Sequence, residues 1–514
     1  MHFRKDEKDM SESNFYKILF GAPDTNLSKL IKFSVETGML YHEIYERIES
    51  DLDRKGLKKK RIRIQDKMYI AKQTSYLSEE FSIPDDVKIT VAELATGRPR
   101  ITAAEVFIFI CLRGYFDSVT SEEASERMVE SISLQMYYLD SNKRMPRPKT
   151  INENLNAVSS ATMEFIHRCQ LKQFLDEGLD DFNYAVFDST SVNASSSWPT
   201  DAGVLYRLFS RIKKQASKLE RFGLKNISSK YPQKWLKILS KLLFKINNTK
   251  GTTGNPKKEK IKPDYKQFLR AAHKMNEFYI KHLAKLELKI GIVELKPSEM
   301  GNLLYLYEHL EDDLLAVSAV LYYTEERVFL DRKLPSTEKI LSLSDTTAAF
   351  IKKGNRNSVI GYKPQIGMSK NGYVSALIIQ PGNGADSAYF APLVKKHIEN
   401  TGIIPKLASA DDGYSSATGR INVLEFGVKD VSFSGAVGRK ILGEELWNDK
   451  KYSEARRNRS AVESLMFSLK YTVHFGRLRR RGIEAVKCEM LGKVIAYNYL
   501  HKIVRLEITE KLAA

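Results

Sequence analysis

At 514 residues the chain exceeds one ordinary core and is expected to form about two to four domains. Its 42% hydrophobic and 28% charged residues exclude a disordered or fibrous chain, and a net charge of +19 calls for an acidic partner, nucleic acid or an anionic membrane surface. No apolar run approaches the ~18 residues of a spanning helix, and the opening residues lack the apolar core of a secretion signal. Cys111, Cys169 and Cys488 have neither disulfide-framework nor zinc-site spacing and read as buried thiols of a reducing compartment. The expected location is cytoplasmic and nucleoid-associated.

Residues 1–95 form an N-terminal region of helical segments and basic clusters. The run Lys55-Gly-Leu-Lys-Lys-Lys-Arg-Ile-Arg is either a solvated face or a phosphate-contacting arm, and 82–86 looks like a break. A helical region follows over 96–178. The basic linker 97–102 ends in Thr102, placed to cap an apolar helix through 106–112, and helices are predicted to continue over 122–138. The turn Arg144-Met-Pro-Arg-Pro-Lys-Thr and the short helix 151–158 suit a helix-turn-helix reader of DNA ends as well as any helical bundle.

From Phe182 the pattern changes. Tyr184-Ala-Val-Phe-Asp-Ser-Thr reads as a short buried strand with Asp188 at its C-terminal end, where α/β sheets place ligand sites and where an aspartate also starts Asx-turns. Trp198 suits either core packing or stacking on an unpaired base. Between Arg207 and Lys289 there are 23 Lys plus Arg against 5 Asp plus Glu, nearly the chain's whole excess. A helix over 205–246, a loop over 247–258, a second helix over 265–292 and a third, acidic one over 299–326 compose a basic helical insertion at about 205–335. Its length, loop and place inside an α/β region favour a grip on DNA phosphates, with Lys213 and Lys214 as contacts, over a membrane surface.

The sheet resumes after Leu341. The runs 360–368 and 373–380 flank Ser369-Lys-Asn-Gly, a hairpin signal. Asp386 or Ser387 is placed to cap a helix over 389–400, closed by Gly402. Another strand then ends in acid at Asp411-Asp412, followed by a helix over 418–426 and a strand over 428–433. The stretch from Arg456 to Lys470 closes the pattern. On a helix, Arg459, Glu463 and Lys470 fall within roughly a 40° arc beside an apolar stripe of Val462, Leu465, Leu469 and Val473. The same residues fit a capping box starting at Ser460, with Glu463 tying off a helix start.

Two aspartates at strand ends and a glutamate on the closing helix could converge on two divalent cations, which would drive an in-line displacement at a phosphate without a protein nucleophile.

Arg459, three residues, Glu463, six residues and Lys470 resemble the R-(3)-E-(6)-K portion of the signature of bacterial insertion-sequence transposases with a DDE site, the insertion-sequence-four type. Ala410-Asp-Asp-Gly-Tyr is similar to the segment of that family's second aspartate, favouring Asp411 over Asp412. Val186-Phe-Asp-Ser-Thr is similar to the first, and Gly361-Tyr-Lys to the middle hairpin. The likeness covers roughly residues 180–505. Arg456 stands where the family has Tyr, and the short span between Asp411 and Glu463 leaves no room for the β-rich insertion of some members, so a divergent branch is implied.

The resemblance implies an α/β, RNase H-like mixed-sheet catalytic domain over 179–505, interrupted by the helical insertion and preceded by a mainly helical N-terminal region. It implies a transposase that binds element ends, frees 3′-hydroxyls by two-metal hydrolysis and joins them to target DNA. Asp188, Asp411 and Glu463 would hold two Mg²⁺ ions, with Mn²⁺ as a substitute. Arg459 and Lys470, and more weakly Arg456, Lys363, Arg479 and Arg480, would contact DNA. Double-stranded DNA and a second copy in a synaptic homodimer are the implied partners, with no membrane. A nuclease of the same fold without strand transfer and a non-catalytic DNA-binding descendant are the rival readings.

Overall fold

A computed structural model describes residues 25–74, 101–116, 120–141, 143–195, 200–222, 230–249, 255–332, 335, 339–343, 345–352 and 358–513. Side chains at some helical positions, 460–463 and 465 among them, lie outside the described set, as do Trp198, the break at 82–86, linker residues 97–100 and most side chains of the basic cluster at 55–63. The chain divides into two compact units, one of residues 1–55, 97–195 and 350–514, the other of 56–96 and 196–349.

The first unit opens with helices α1 (Thr25–Leu40) and the start of α2 (Glu43–Thr74), then α3 (Ala103–Phe116), α4 (Ser121–Glu130), α5 (Ile132–Asp140), α6 (Pro148–Leu155) and α7 (Ser160–Asp176). The predicted Thr102 cap is reciprocal. Glu105 N donates to Thr102 Oγ1 at 3.3 Å while Thr102 N donates to Glu105 Oε2 at 2.7 Å. Residues 106–112 of α3 are buried on every side, as befits a central helix.

The sheet strands are β1 (Tyr184–Ser189), the two-residue β2 (Val192–Asn193), β3 (Ala349–Ile351), β4 (Val359–Tyr362), β5 (Gln365–Ser369), β6 (Val374–Ile378), β7 (Leu407–Ala410) and β8 (Asp430–Phe433). The main sheet has the order β6-β5-β1-β7-β8. β5 lies antiparallel to β1 and β6 antiparallel to β5, whereas β7 runs parallel to β1 and β8 parallel to β7. The central place of β1 explains why its sequence is an unbroken apolar run rather than an alternating one. A second sheet has the order β2-β4-β3. In it Gly361 faces Asn193 so closely that a Cβ would collide with the Val192 carbonyl.

One face of the main sheet is covered by α12 (Phe390–Thr401) and α13 (Ala417–Glu425), with Phe187, Phe390, Leu393, Val394, Tyr414 and Phe433 in the shared core. Gly402 ends α12 at φ 73°, the left-handed cap the sequence predicts. After α14 (Ala436–Asn448), α15 (Lys450–Thr472) packs across β1, β7 and β8, and α16 (Ile483–Ala513) packs against α3, α7 and β6.

The second unit is built on α8 (Asp201–Leu219), α9 (Lys230–Asn248), α10 (Asn255–Ile290) and α11 (Pro297–Phe329). α8 and α10 each pack against both α9 and α11, placing α9 and α11 at opposite corners of a bundle. Leu205, Leu208, Phe209, Leu239, Phe268 and Val317 fill its centre. Arg211 and Asp313 pair from α8 to α11, with Nε to Oδ2 at 2.7 Å.

Two expectations change here. The helix predicted over 205–246 stops at Leu219 and restarts at Lys230, and the loop predicted to reach 258 is shortened because α10 begins at Asn255. Pro256 sits in the first turn of α10, where its missing N–H breaks no helical hydrogen bond, so that proline starts a helix rather than marking a loop.

Candidate metal and nucleic-acid site

The parallel register of β1 and β7 sets the centre of the site. Phe187 lies opposite Ala410, so Asp188 and Asp411 are the next residues on adjacent strands, whose backbones run about 4.8 Å apart. Both acids therefore leave the sheet at the same C-terminal edge. Asp188 Oδ1 accepts from Ser189 N at 2.6 Å, and Asp411 Oδ1 accepts from Gly413 N at 3.0 Å. Asp412 points elsewhere: it accepts from Gly438 N at 2.8 Å and Val437 N at 3.4 Å, tying the first turn of α14.

Glu463 lies in the middle of α15, the helix that crosses β1, β7 and β8 on the face opposite α12 and α13; its side chain lies outside the described residues. The capping-box alternative does not hold. α15 begins at Lys450 and is capped by Asp449, which accepts from Lys451 N at 2.8 Å and Tyr452 N at 3.4 Å. The sequence before Ser460 therefore stays helical and leaves Glu463 no terminal amide to tie. Arg459 and Lys470 lie half-buried on the same helix, while Leu469 and Val473 of the predicted apolar stripe are fully buried.

Sequence reasoning missed the polar chain beside these aspartates. The buried Tyr414 hydroxyl donates to Gln365 Oε1, and Gln365 Nε2 donates to Asp386 Oδ1 at 2.8 Å. Lys363 Nζ pairs with the same oxygen at 2.8 Å. Burial, then the negative charges of Asp386, Asp188 and Asp411, push the Tyr414 phenol far above its ordinary range. All three carboxylates thus act on one buried hydroxyl. Gly413 is the gap among them: a Cβ there would lie 3.2 Å from Asp411 Oδ1 and 3.4 Å from Asp386 Oδ2. Asp386 does not cap α12 as predicted, because a 3₁₀ turn, Asp386–Tyr389, precedes that helix and leaves Asp386 to the sheet edge. An aspartate before a helix carries the same local signal in either role.

The connection from α15 to α16 is fixed from two sides. Leu478 N donates to Asn193 O at 2.8 Å and Asn193 N to Gly476 O at 3.0 Å, joining it to β2 just beyond Asp188. From α16, Glu489 accepts from Arg479 N at 3.0 Å and Arg480 N at 2.7 Å. Lys493 Nζ donates to the carbonyls of His474 at 3.0 Å and Arg477 at 2.8 Å and lies 3.3 Å from Glu489. The acid-then-base spacing of four residues in a helix was the available signal for this pair.

The other cationic positions are dispersed. Arg456 stacks its guanidinium 3.9 Å over the Trp447 ring and donates to the Trp447 carbonyl at 2.6 Å, and burial lowers its pKa. Arg479 and Arg480 are half-buried. In the helical unit Lys213 is half-buried and Lys214 exposed on α8. Lys234, Lys237, Lys241 and Lys245 line the exposed side of α9, and Lys245 pairs with Asp264 at 2.6 Å. In the sheet-containing unit, Lys143, Arg144, Arg147, Thr150 and Asn154 line a cleft of about 520 Å³.

Asp188 and Asp411 supply the hard oxygen donors that Mg²⁺ prefers, and their strand register suits a shared cation. Among the described residues no group of three Asp, Glu, His or Cys side chains is placed to hold a metal ion, a set from which the Glu463 side chain is absent. No helix among them is long and apolar enough to cross a membrane.

Residues 324–499 match the family model of the transposase DDE domain, which supports a DDE transposase. The matched span contains Asp411 and all of α15 but starts beyond Asp188. No curated protein and no solved structure matches the chain.

Proposed function

We propose that this protein is a DNA transposase of RNase H-like fold, a divergent member of the insertion-sequence-four type. It would cut phosphodiesters at element ends and join the freed 3′-hydroxyls to target DNA. The observation that carries this reading is the register that sets Asp188 and Asp411 side by side at adjoining strand ends, with the helix of Glu463 lying over the same strands. The strand order, with β5 alone reversed among β6-β5-β1-β7-β8, supports the RNase H-like assignment.

Asp188, Asp411 and Glu463 would hold Mg²⁺, or Mn²⁺ in its place. When bound, such ions activate an attacking oxygen and stabilise a departing one. The chain's own part is positioning. Arg459 and Lys470, on the helix of Glu463, balance the charge of the strand being cut. Arg479 and Arg480, on the clamped connection, and Lys213 and Lys214 with the α9 lysines bind flanking phosphates. Lys363 contributes a cation at the sheet edge, and Arg456 contributes through the α14–α15 junction that its stacking on Trp447 fixes. A synaptic complex of two copies would bring two ends together.

Glu463→Gln, Asp188→Asn and Asp411→Asn are each expected to abolish cleavage of end-containing duplex while leaving its binding within about twofold. Cleavage by Glu463→Gln at the wild-type rate would remove that residue from the site. Incubation of pre-cut ends with target DNA separates a transposase from a nuclease: absence of joined product with Mg²⁺ or Mn²⁺ would overturn the transposase reading.

A further inference from the structure

The Lys363–Asp386 pair has a feature that phosphate contact alone does not explain. Lys363 is a cation at the sheet edge where Asp188 and Asp411 emerge, because Ser189 lies opposite Gln365 and Thr190 N donates to Pro364 O at 3.2 Å. Yet its ammonium is committed to Asp386 Oδ1 at 2.8 Å and to the Gly384 carbonyl at 3.3 Å. The two side chains are only 13% and 12% exposed, so water screens the pair far less than a surface salt bridge. The acid is fixed independently of the lysine. Gln365 holds the same oxygen, Tyr414 holds Gln365, and Oδ2 faces the Gly413 gap beside Asp411.

Resting on the proposed function, we propose that Asp386 is a latch on Lys363: it holds the ammonium at the mouth of the site and surrenders it to a DNA phosphate. The asymmetry of the pair sets the direction of transfer. Asp386 keeps the Gln365 hydrogen bond after the lysine leaves, whereas the lysine gains a second anion only if a polyanion arrives. A flexible stem carries the ammonium, and a bound phosphate satisfies it with a charge-assisted hydrogen bond of the same kind. The latch thus makes this contact conditional on DNA being seated at the strand ends.

The test is binding of a duplex oligonucleotide, without cleavage, by the full chain and by Asp386→Asn, Lys363→Met and the double variant. Asn keeps the shape and an acceptor for Gln365 but removes the charge. Asp386→Asn is expected to tighten binding about fivefold, the factor for releasing one ion pair of moderate strength. In the Lys363→Met background the same substitution is expected to change binding less than about twofold. An equal gain in both backgrounds overturns the latch, since Asp386 would then merely repel DNA by its own charge. No gain in the single variant, with wild-type binding intact, also overturns it. A wild-type chain that binds no duplex overturns the proposed function and the latch together.

Discussion

Replacing Lys493 by Met keeps the aliphatic stem and removes the ammonium from a place where water cannot substitute for it. The Lys493 and Glu489 side chains are 0% and 2% exposed. The change takes the Lys493 ammonium from the Glu489 carboxylate, although the Arg479 and Arg480 amides remain as donors, and the carbonyls of His474 and Arg477 lose their shared donor. Breaking a buried pair on one side costs about 3–5 kcal/mol, and the retained amides place the expected loss toward the lower end. Glu489→Gln with Lys493→Met removes both charges and is expected to cost less than the sum of the single changes. Urea unfolding of the full chain reads the global loss, and hydrogen exchange at Asn193, Leu478, Arg479 and Arg480 reads the local one. If Lys493→Met costs under about 1 kcal/mol, below the range for broken buried pairs, and those four amides stay protected, then the pair does not clamp this connection.

Two further outcomes follow from buried or clustered charge. Burial lowers the pKa values of His167 and His397 from 6.5 to about 4, so between those limits the unfolded chain binds more protons than the folded one. Their stabilisation is complete above about pH 6.5 and is lost as pH falls toward 4, about 3 kcal/mol for each; His397→Asn should flatten part of that dependence in urea titrations, and an unchanged slope would refute its part. On α9, Lys234, Lys237 and Lys241 are exposed, and changing all three to Ala should lower the slope of log K against log salt for duplex binding by about 0.9 for each phosphate left without its cation. An unchanged slope would move the DNA elsewhere.

The sequence carried the local part of this architecture because strand ends, hairpins and caps are written in neighbouring residues. An apolar run closed by an acid located β1 and β7, Asn-Gly located the β5–β6 turn, and Thr102 with Glu105 located the start of α3. Pairing between distant segments was not legible in the same way. Nothing near Asp188 specifies that Phe187 lies opposite Ala410, and nothing near Asp386 distinguishes a helix cap from a partner for Lys363. Within the second unit a helix start was misplaced where Pro256 occupied a first helical turn, since the same residue breaks a helix a few positions later. Glu489 and Lys493 show the usual helical spacing of a solvated pair, and only the fold makes them a buried one.

The electrostatics of the sheet edge explain why these residues belong together. Asp188 and Asp411 stand on adjacent strands, and Asp386 faces the gap left by Gly413 beside Asp411. Neighbouring like charges raise one another's energy, and the buried Tyr414 responds to all three. A fold keeps this arrangement only if cations offset it. Lys363 offsets one carboxylate directly, and in the proposed function a divalent ion held by Asp188 and Asp411 would add positive charge at the same edge. If the latch opens when DNA is seated, Asp386 is uncovered as the phosphate arrives, and the demand for positive charge at the edge rises at that moment. Metal affinity should therefore be higher in the presence of duplex than in its absence, and by linkage the metal should tighten duplex binding by the same factor. Parallel titrations of Mn²⁺ on the unaltered chain, with and without a duplex whose phosphodiesters resist cleavage, measure that factor; a value of one would mean that the two sites act independently.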